Sequence, residues 1–281
     1  MRLLLAALLG LAGAIAAWKA AAPNFRQPTF LRRNYRDVDV PVGAGVLLAV
    51  AAIAAEALLS LADTLQRHPS VDRPARLMTL LVVVAFALLG LIDDLGAHGD
   101  DRGFAGHLRA LAKGRLTTGG IKLLGGGLVA VVAAASAGQP GLGRVLVGAA
   151  VIALAANLGN LFDRAPGRTI KVGLVAAIPL LALASVTDRH ALSGVAVIVG
   201  AAVGLLGFDL GEQLMLGDAG SNVIGAALGL GFVLTTGFVA WVIAAIVLAL
   251  LNAASERVSF SRVIDRVAPL RALDRLGRRR S

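Results

Sequence analysis

The sequence predicts an all-α fold: a polytopic transmembrane helix bundle of about nine spans. Of its 281 residues, 57% are hydrophobic and only 16% are charged, and the mean hydropathy is +0.81. Such a chain is too apolar for a soluble domain of this length. The charged residues are clustered between apolar runs, as expected because a Lys, Arg or Asp at the bilayer centre costs about 2.5–3.5 kcal/mol.

Each predicted span is one of these apolar runs, most of which approach the roughly 20 residues that a membrane-crossing helix needs. Their bounds are 3–22, 42–61, 77–92, 118–137, 142–161, 172–186, 192–207, 222–235 and 237–251. The boundary between the last two, around Thr236, is the least sharply marked. Frequent Gly and Ala in the runs favour close helix packing in lipid.

The distribution of basic residues predicts the orientation, because Lys and Arg accumulate in cytoplasmic loops. With the amino terminus outside, 19 of the 27 Lys and Arg fall on the cytoplasmic side and only 6 on the outer side. Residues 1–251 then form the transmembrane domain, and 252–281 form a basic, partly helical cytoplasmic tail. A cleaved signal peptide is an alternative for the first span, but the four arginines that follow it would then lie on the wrong side.

The formal net charge of +10 is compatible with nucleic acid or anionic lipid as a partner. Eight arginines lie in the last thirty residues and most others flank apolar spans, which favours a topology signal and contact with membrane lipid headgroups over nucleic-acid binding. The absence of cysteine excludes disulfides and thiolate metal sites, and the four scattered histidines have no metal-binding spacing.

The first loop of chemical interest begins with Asp93 and Asp94, directly after the third span. Paired carboxylates at a helix C-terminus are unfavourable because the helix dipole there prefers cations. They indicate either a metal or cationic partner, or simply a solvated stop signal; Asp100 and Asp101 fit the solvated interpretation. Lys122, just inside the fourth span, either has an anionic partner or extends to the interface.

The second loop follows the fifth span and carries Asn160 and Asp163. Arg164, Arg168 and Lys171 surround a Pro-Gly turn behind them. Three cations around a turn with exposed backbone amides are typical of a phosphate cradle. Basic residues after a span also satisfy the positive-inside rule, so this loop alone does not establish a site.

The third loop contains Asp218 between glycines, followed by Ser221 in a position to cap the next helix. A carboxylate at a helix N-terminus combines a ligand for a metal with a dipole that favours an anion. An ordinary capping turn is the alternative. Together the three loops place acidic and basic groups on one side of the membrane, and phosphoryl transfer requires both.

These motifs resemble those of the polyprenyl-phosphate N-acetylhexosamine-1-phosphate transferase superfamily, which includes the MurNAc-pentapeptide and GlcNAc-1-phosphate transferases of bacterial wall and envelope synthesis. The resemblance covers most of the chain. The similar segments occur in the family's order: PVGAG at 41–45, the aspartate pair at 93–94, Lys122, NLFDRAPGR at 160–168 and MLGDAGS at 215–221.

The resemblance implies that a polyprenyl phosphate attacks a UDP-sugar, which gives polyprenyl-diphospho-sugar and UMP. It also implies Mg²⁺, or Mn²⁺, as the cofactor. Asp218 would hold the metal on the diphosphate, Asp94 would support the metal or phosphate, and Asp93 would be the base for the lipid phosphate. Lys122 would hold a phosphate. The expected location is the plasma membrane, with the active site on the cytoplasmic side.

Further site residues follow from the same resemblance. Asn160 and Asp163 would contact the nucleotide or the aminosugar, and Met215 matches a nucleotide-stacking aromatic, so stacking should be weaker here. Two departures weigh against a peptide-bearing substrate and favour a simpler UDP-N-acetylhexosamine. Pro166 replaces the family's second aspartate, and the family's histidine-rich loop is missing; Arg257 and Arg262 are candidate replacement phosphate clamps there.

Two other classes of function stay open at the level of sequence. A catalytically silent relative would bind nucleotide or lipid-linked sugar without turnover. A transporter would place ionisable residues near the bilayer midplane, whereas the charges here are expected in loops on one face. A CDP-alcohol phosphatidyltransferase signature is not found. The sequence leaves the sugar, the prenyl length and a homodimeric state open.

Overall fold

A computed structural model describes residues 2–67, 70–96, 114, 117–137, 140–184 and 188–279. In these residues the chain forms eleven α-helices and one short β-hairpin. The helices are α1 (Arg2–Phe25), α2 (Val46–Leu65), α3 (Arg73–Gly96), α4 (Thr118–Ser136), α5 (Leu142–Phe162), α6 (Arg168–Leu183), α7 (Ser193–Leu210), α8 (Asp218–Thr235), α9 (Phe238–Ser255), α10 (Phe260–Arg266) and α11 (Ala268–Arg275). The strands are β1 (Leu31–Arg33) and β2 (Asp39–Pro41).

Eight segments in the described residues are long and apolar enough to cross a membrane: α1 to α5, α8, α9 and Arg189–Leu210, which contains α7. The prediction of an all-α, multi-pass membrane bundle is therefore confirmed. The sixth predicted span coincides with α6, which has 16 residues. At 1.5 Å per residue it extends about 24 Å, less than the roughly 30 Å hydrocarbon core.

Helix α8 lies at the centre of the bundle, because 14 of its 18 residues are buried. Its small residues let neighbouring backbones approach closely. A Cβ added to Gly225 would lie 2.1 Å from the carbonyl oxygen of Ala155 on α5, and one added to Gly159 would lie 2.4 Å from the carbonyl oxygen of Ser221. By contrast α9, in which only Trp241 is buried, lies at the periphery.

The helices alternate in direction, so the functional loops collect at one end of the bundle. At this end α2, α4, α6 and α8 begin and α3, α5, α7 and α9 finish; it is termed the site end below. The amide of Gly45 before α2 donates to the carbonyl of Leu216 before α8 at 3.0 Å, which ties two of these loops together.

A β-hairpin at the site end was not predicted from the sequence. Leu31 pairs with Pro41 and Arg33 with Asp39 in an antiparallel register. The hairpin packs on the loop before α8, where the amide of Met215 donates to the carbonyl oxygen of Pro41 at 2.7 Å. The segment that contains the PVGAG motif therefore positions the loop that leads to Asp218.

A buried ion cluster at the opposite end corrects the expectation that charges occur only in loops on one face. Arg76 is 3% exposed and pairs with Glu56 at 2.8 Å, Asp63 at 2.8 Å and Asp72 at 2.6 Å. Glu56 lies in the middle of α2, so this is an intramembrane charge. The guanidinium of Arg76 compensates the charge of the Glu56 carboxylate, and a buried carboxylate needs such a partner.

Candidate active site

Three helices bring Asp93, Lys122 and Asp218 together at the site end. The Nζ of Lys122 donates to Oδ2 of Asp93 at 2.9 Å and also contacts Oδ2 of Asp218. The three side chains are only 15–20% exposed. Of the two interpretations of Lys122, the one with anionic partners is therefore correct. Lys122 is also the positive charge that was expected beside Asp93 and Asp94.

Asp94, the neighbour of Asp93, caps the N-terminus of α8. Its Oδ1 accepts from the amide of Asp218 at 2.8 Å, and its Oδ2 accepts from the amide of Ala219 at 3.0 Å. These are two of the amides that a helix N-terminus leaves without an intrahelical partner. An aspartate 124 residues away in the chain thus fixes the backbone that carries Asp218.

Ser221 does not cap α8, so that prediction is wrong. The helix begins at Asp218, which places Ser221 inside the first turn, where its hydroxyl donates to the carbonyl oxygen of Gly217 at 2.9 Å. Ser221 is fully buried. Its hydroxyl is thus engaged within the helix, and the sequence-based expectation that Ser221 also contacts substrate stays a prediction.

Glycines allow the start of α8 to lie directly on α2 and α3. Gly217 has a φ of +66°, a conformation that glycine adopts without steric cost. A Cβ added to Gly90 on α3 would lie 2.4 Å from the carbonyl oxygen of Asp218, and one added to Gly45 would lie 2.2 Å from Cα of Gly220. A larger residue at any of these positions would displace Asp218.

The end of α5 supplies two further polar groups next to this cluster. Nδ2 of Asn160 donates to Oδ2 of Asp218 at 3.1 Å, and the Thr169 hydroxyl donates to Oδ1 of Asp163 at 3.3 Å. Burial raises the pKa of the Asp163 carboxyl well above its usual range, and repulsion from Asp209 and Asp218 raises it further. Its carboxyl is therefore harder to ionise than an ordinary aspartate.

A small cleft opens beside Asp163, between the hairpin, the α5–α6 loop and the α7–α8 loop. Arg164 and Met215, both predicted as substrate contacts, line it. Tyr35, the only tyrosine of the chain, also lines it and is 56% exposed. Tyr35 was not predicted as a site residue, because the hairpin that brings it to the cleft was not predicted either.

Glu212 and Asp209 are two acidic residues of the cleft that sequence reasoning missed. Nδ2 of Asn34 donates to Glu212 at 2.8 Å, which joins the hairpin to the α7–α8 loop. Asp209, 5% exposed, accepts from the amide of Gly167 at 2.9 Å and so fixes the turn after Asp163. Asp209 could have been found from the sequence, because it lies in the last turn of an apolar span, as Asp93 does.

Arg168 and Lys171 bind the C-terminal tail. Arg168 forms a two-pronged ion pair with Asp274 on α11, at 2.8 and 3.0 Å. The Nζ of Lys171 donates to carbonyl oxygens at the end of α11, among them Leu276 at 2.6 Å. These two cations are thus satisfied within the protein, and the predicted phosphate cradle reduces to Arg164, which is exposed at the cleft.

Two other predictions concern residues at the edge of the site. Arg257 lies just after α9, is exposed, and forms no ion pair with any acidic residue that the structure describes. It is accessible to an anion but is not fixed in place. Asp100 and Asp101 lie outside the described residues.

The donor set of the cluster fits Mg²⁺. Among the residues that the structure describes, no group of three or more His, Asp or Glu is arranged to hold a metal ion. Mg²⁺ commonly takes only one or two protein carboxylates and completes its shell with substrate phosphates and water. Asp218 and Asp93 offer such hard oxygen ligands. The Lys122 ammonium already lies between these two carboxylates, so their negative charge favours a cation at this position.

No family model matches this chain, and no curated protein has significant sequence similarity to it.

Proposed function

We propose that this protein transfers a sugar-1-phosphate, an N-acetylhexosamine-1-phosphate, from a UDP-sugar to polyprenyl phosphate and releases UMP. The observation that carries the proposal is the convergence of Asp93, Lys122 and Asp218, from three helices, at one end of a membrane bundle. The motifs that these residues occupy resemble those of the polyprenyl-phosphate sugar-1-phosphate transferases. Both substrates are phosphates, and one of them lies in the membrane.

In the proposed reaction an oxygen of the lipid phosphate forms a bond to the sugar-bearing phosphorus, while the bond from that phosphorus to the UMP oxygen breaks. Catalysis of phosphoryl transfer is mostly positioning and charge stabilisation. Mg²⁺, held by Asp218 with Asp93 alongside, would neutralise charge on the diphosphate. Asp94 contributes by capping α8 and so fixing Asp218.

The chain's own residues perform the other steps. Lys122 binds phosphate oxygens as they enter between the two carboxylates that it bridges. Asp93 accepts the proton of a lipid phosphate that arrives as the monoanion. Asn160 orients the Asp218 carboxylate through its hydrogen bond at 3.1 Å.

The nucleotide is assigned to the cleft beside Asp163. Tyr35 and Met215 flank the base, so that the exposed tyrosine compensates for methionine at the position where related motifs carry an aromatic residue. Asp163 lines the same cleft beside the nucleotide, and Arg164 pairs with the nucleotide's phosphate charge. The resemblance and the distribution of basic residues support a cytoplasmic position for the site end, in the plasma membrane.

A transfer assay tests this proposal. Purified protein is incubated with radiolabelled UDP-N-acetylglucosamine, undecaprenyl phosphate and Mg²⁺, and the butanol-soluble product and UMP are quantified. We expect equal amounts of both, with no product after EDTA treatment or in Asp218→Asn. Asp188→Asn, at the opposite end, is the matched control and should retain activity.

The same assay distinguishes the silent alternative. If no UDP-N-acetylhexosamine yields lipid product while the folded protein still binds UDP-sugar, transfer is rejected and the chain is a binding protein. If it neither reacts with nor binds UDP-sugars, the nucleotide assignment fails as well.

A further inference from the structure

The C-terminal tail forms a surface whose apolar and basic residues are separated. On α11, Leu270 and Leu273 are three residues apart and are 44% and 46% exposed. Arg271 and Arg275 are four residues apart, on the opposite side of the helix. The face of α11 that contacts the protein is a third one, which carries the buried Asp274.

Exposed aliphatic residues also flank α11 on both sides in the sequence, and together with Leu270 and Leu273 they are termed the apolar stripe below. Val263 and Val267 precede it at 41% and 42% exposure, and Leu276 follows at 66%. Five aliphatic side chains exposed along one short segment form an apolar surface that a soluble environment disfavours.

Contacts with the bundle fix the position of this surface. The ring of Phe260 stacks on Phe162 at the end of α5, with 5.1 Å between centroids. Arg168 binds Asp274, and Nε of Arg278 donates to the carbonyl oxygen of Pro166 at 3.1 Å. The tail is thus held beside the ends of α5 and α6, where spanning helices leave the hydrocarbon.

The charge of this surface is strongly positive. Arg257, Arg262 and Arg266 are exposed and form no ion pair with an acidic residue that the structure describes. Arg275 has only a distant, exposed partner in Asp265, at 3.8 Å. Basic residues beside an apolar stripe are typical of helices that lie in the interface of an anionic bilayer.

We propose that α10 and α11 dock onto the anionic headgroups of the leaflet at the site end. Val263, Leu270 and Leu273 enter the boundary between headgroups and acyl chains, and the arginines pair with lipid phosphates. A lipid surface accounts for the apolar and the basic residues together. Its position also explains why the tail is fastened close to the ends of spanning helices.

Site-specific fluorescence tests this docking without reference to enzymatic activity. The chain has no cysteine, so Leu273→Cys in the full-length protein can be labelled uniquely with an environment-sensitive dye. Ser259→Cys, exposed but outside the stripe, is the matched control. Each is reconstituted into nanodiscs of phosphatidylcholine, or of phosphatidylcholine with phosphatidylglycerol, that contain a lipid-borne quencher.

We expect the dye at position 273 to shift to the blue and to be quenched by lipid only in the anionic nanodiscs, while the dye at 259 changes little. Raising the salt concentration should reverse the shift, because exposed charges are screened. Equal signals in both lipid mixtures, or a dye at 273 that remains in water, would overturn the proposal. A shift that instead requires an added protein fraction would assign the surface to a protein partner.

Arginine variants provide a second measurement. Replacing Arg262 and Arg266 by glutamine should lower the ratio of docked to undocked tail by about fivefold per arginine. Replacing Arg67 and Arg73, at the opposite end, by glutamine should leave the ratio unchanged. An equal loss in both pairs would show that overall charge, and not this surface, determines the signal. If the first pair prevents reconstitution, the salt dependence of the labelled parent protein decides.

Discussion

Two adjacent carboxylates, Asp93 and Asp94, have different tasks because successive side chains on a helix point in different directions. Asp93 faces Lys122, whereas Asp94 accepts from the first two amides of α8. One residue thus belongs to the proposed chemistry and its neighbour to the positioning of Asp218. The sequence motif alone does not separate these roles.

Substitution should separate them. Asp94→Ala removes the helix cap and should lower the free energy of unfolding by about 1–2 kcal/mol, visible as a lower midpoint in a thermal denaturation assay in detergent. Asp93→Asn leaves Lys122 paired with Asp218 and should reduce transfer activity with a much smaller change in the midpoint. A larger fall in the denaturation midpoint for Asp93→Asn than for Asp94→Ala would contradict this assignment.

Tyr35 is the residue whose role depends most on the assignment of the cleft. Loss of stacking on a base costs about 1–3 kcal/mol, so Tyr35→Ala should raise the KM for UDP-sugar by roughly tenfold or more. Tyr35→Phe keeps the ring and should behave like the parent protein in the same steady-state assay. If both variants retain the parental KM, the base does not lie against Tyr35.

At the scale of elements, the close contact of α8 with α2 and α3 sets the geometry of the site. Gly90 and Gly45 allow backbone atoms to meet where any side chain would intervene, and Gly217 leaves room for the Asp94 carboxylate. The motif around Gly45 was recognised in the sequence, but Gly90 was not. Its importance comes from the helix packed against it, which a one-dimensional pattern does not contain.

Gly90→Ala should disturb this contact. The added methyl group would meet the Asp218 backbone at 2.4 Å, and overpacking of this kind costs about 1–3 kcal/mol. Both the midpoint of thermal denaturation and transfer activity should fall. Gly127→Ala on α4 is the matched control: no atom lies within 4 Å of its added Cβ, and alanine favours a helix. Equal behaviour of the two variants would refute the packing argument.

The tail should detach in acid, because its main link is the ion pair of Arg168 with Asp274. Burial alone would raise the pKa of Asp274, but the hydrogen bonds and charge of Arg168 outweigh it and hold the pKa below its ordinary value of 3.8. The ion pair therefore stabilises the attached tail fully at a pH above the pKa that Asp274 has in the unfolded chain. This stabilisation is lost as the pH falls through the lower pKa of Asp274 in the folded protein.

Protease sensitivity of the tail measures this dependence. Cleavage after the tail arginines should be slow at neutral pH in the parent protein and fast in Asp274→Asn, which lacks the charge at every pH. An acid-stable protease should reach the parent tail only below about pH 4. Asp265→Asn, an exposed aspartate of the same tail, is the control. A parent tail that opens as the pH rises would contradict the sign of the effect.

For the molecule as a whole, the sequence predicts the membrane bundle and the acidic groups of the site, since both arise from local patterns. Apolar runs mark helices, and aspartates at their ends mark one face. The hairpin that carries Tyr35, the tail contacts of Arg168 and the buried Arg76 cluster were missed. Each depends on contacts between segments far apart in the chain, which hydropathy and charge patterns do not encode.

We propose above all that Asp218 and Asp93 bind a divalent cation jointly with a nucleotide diphosphate, whose phosphate oxygens Lys122 contacts. Electron paramagnetic resonance of Mn²⁺ tests it most directly, because the spectrum of free aqueous Mn²⁺ disappears on binding. We predict that the parent protein depletes free Mn²⁺ strongly only when UDP-N-acetylglucosamine is present, that Asp218→Asn abolishes this depletion and that Asp188→Asn preserves it. Depletion that is independent of the nucleotide, or unchanged in Asp218→Asn, would contradict the account.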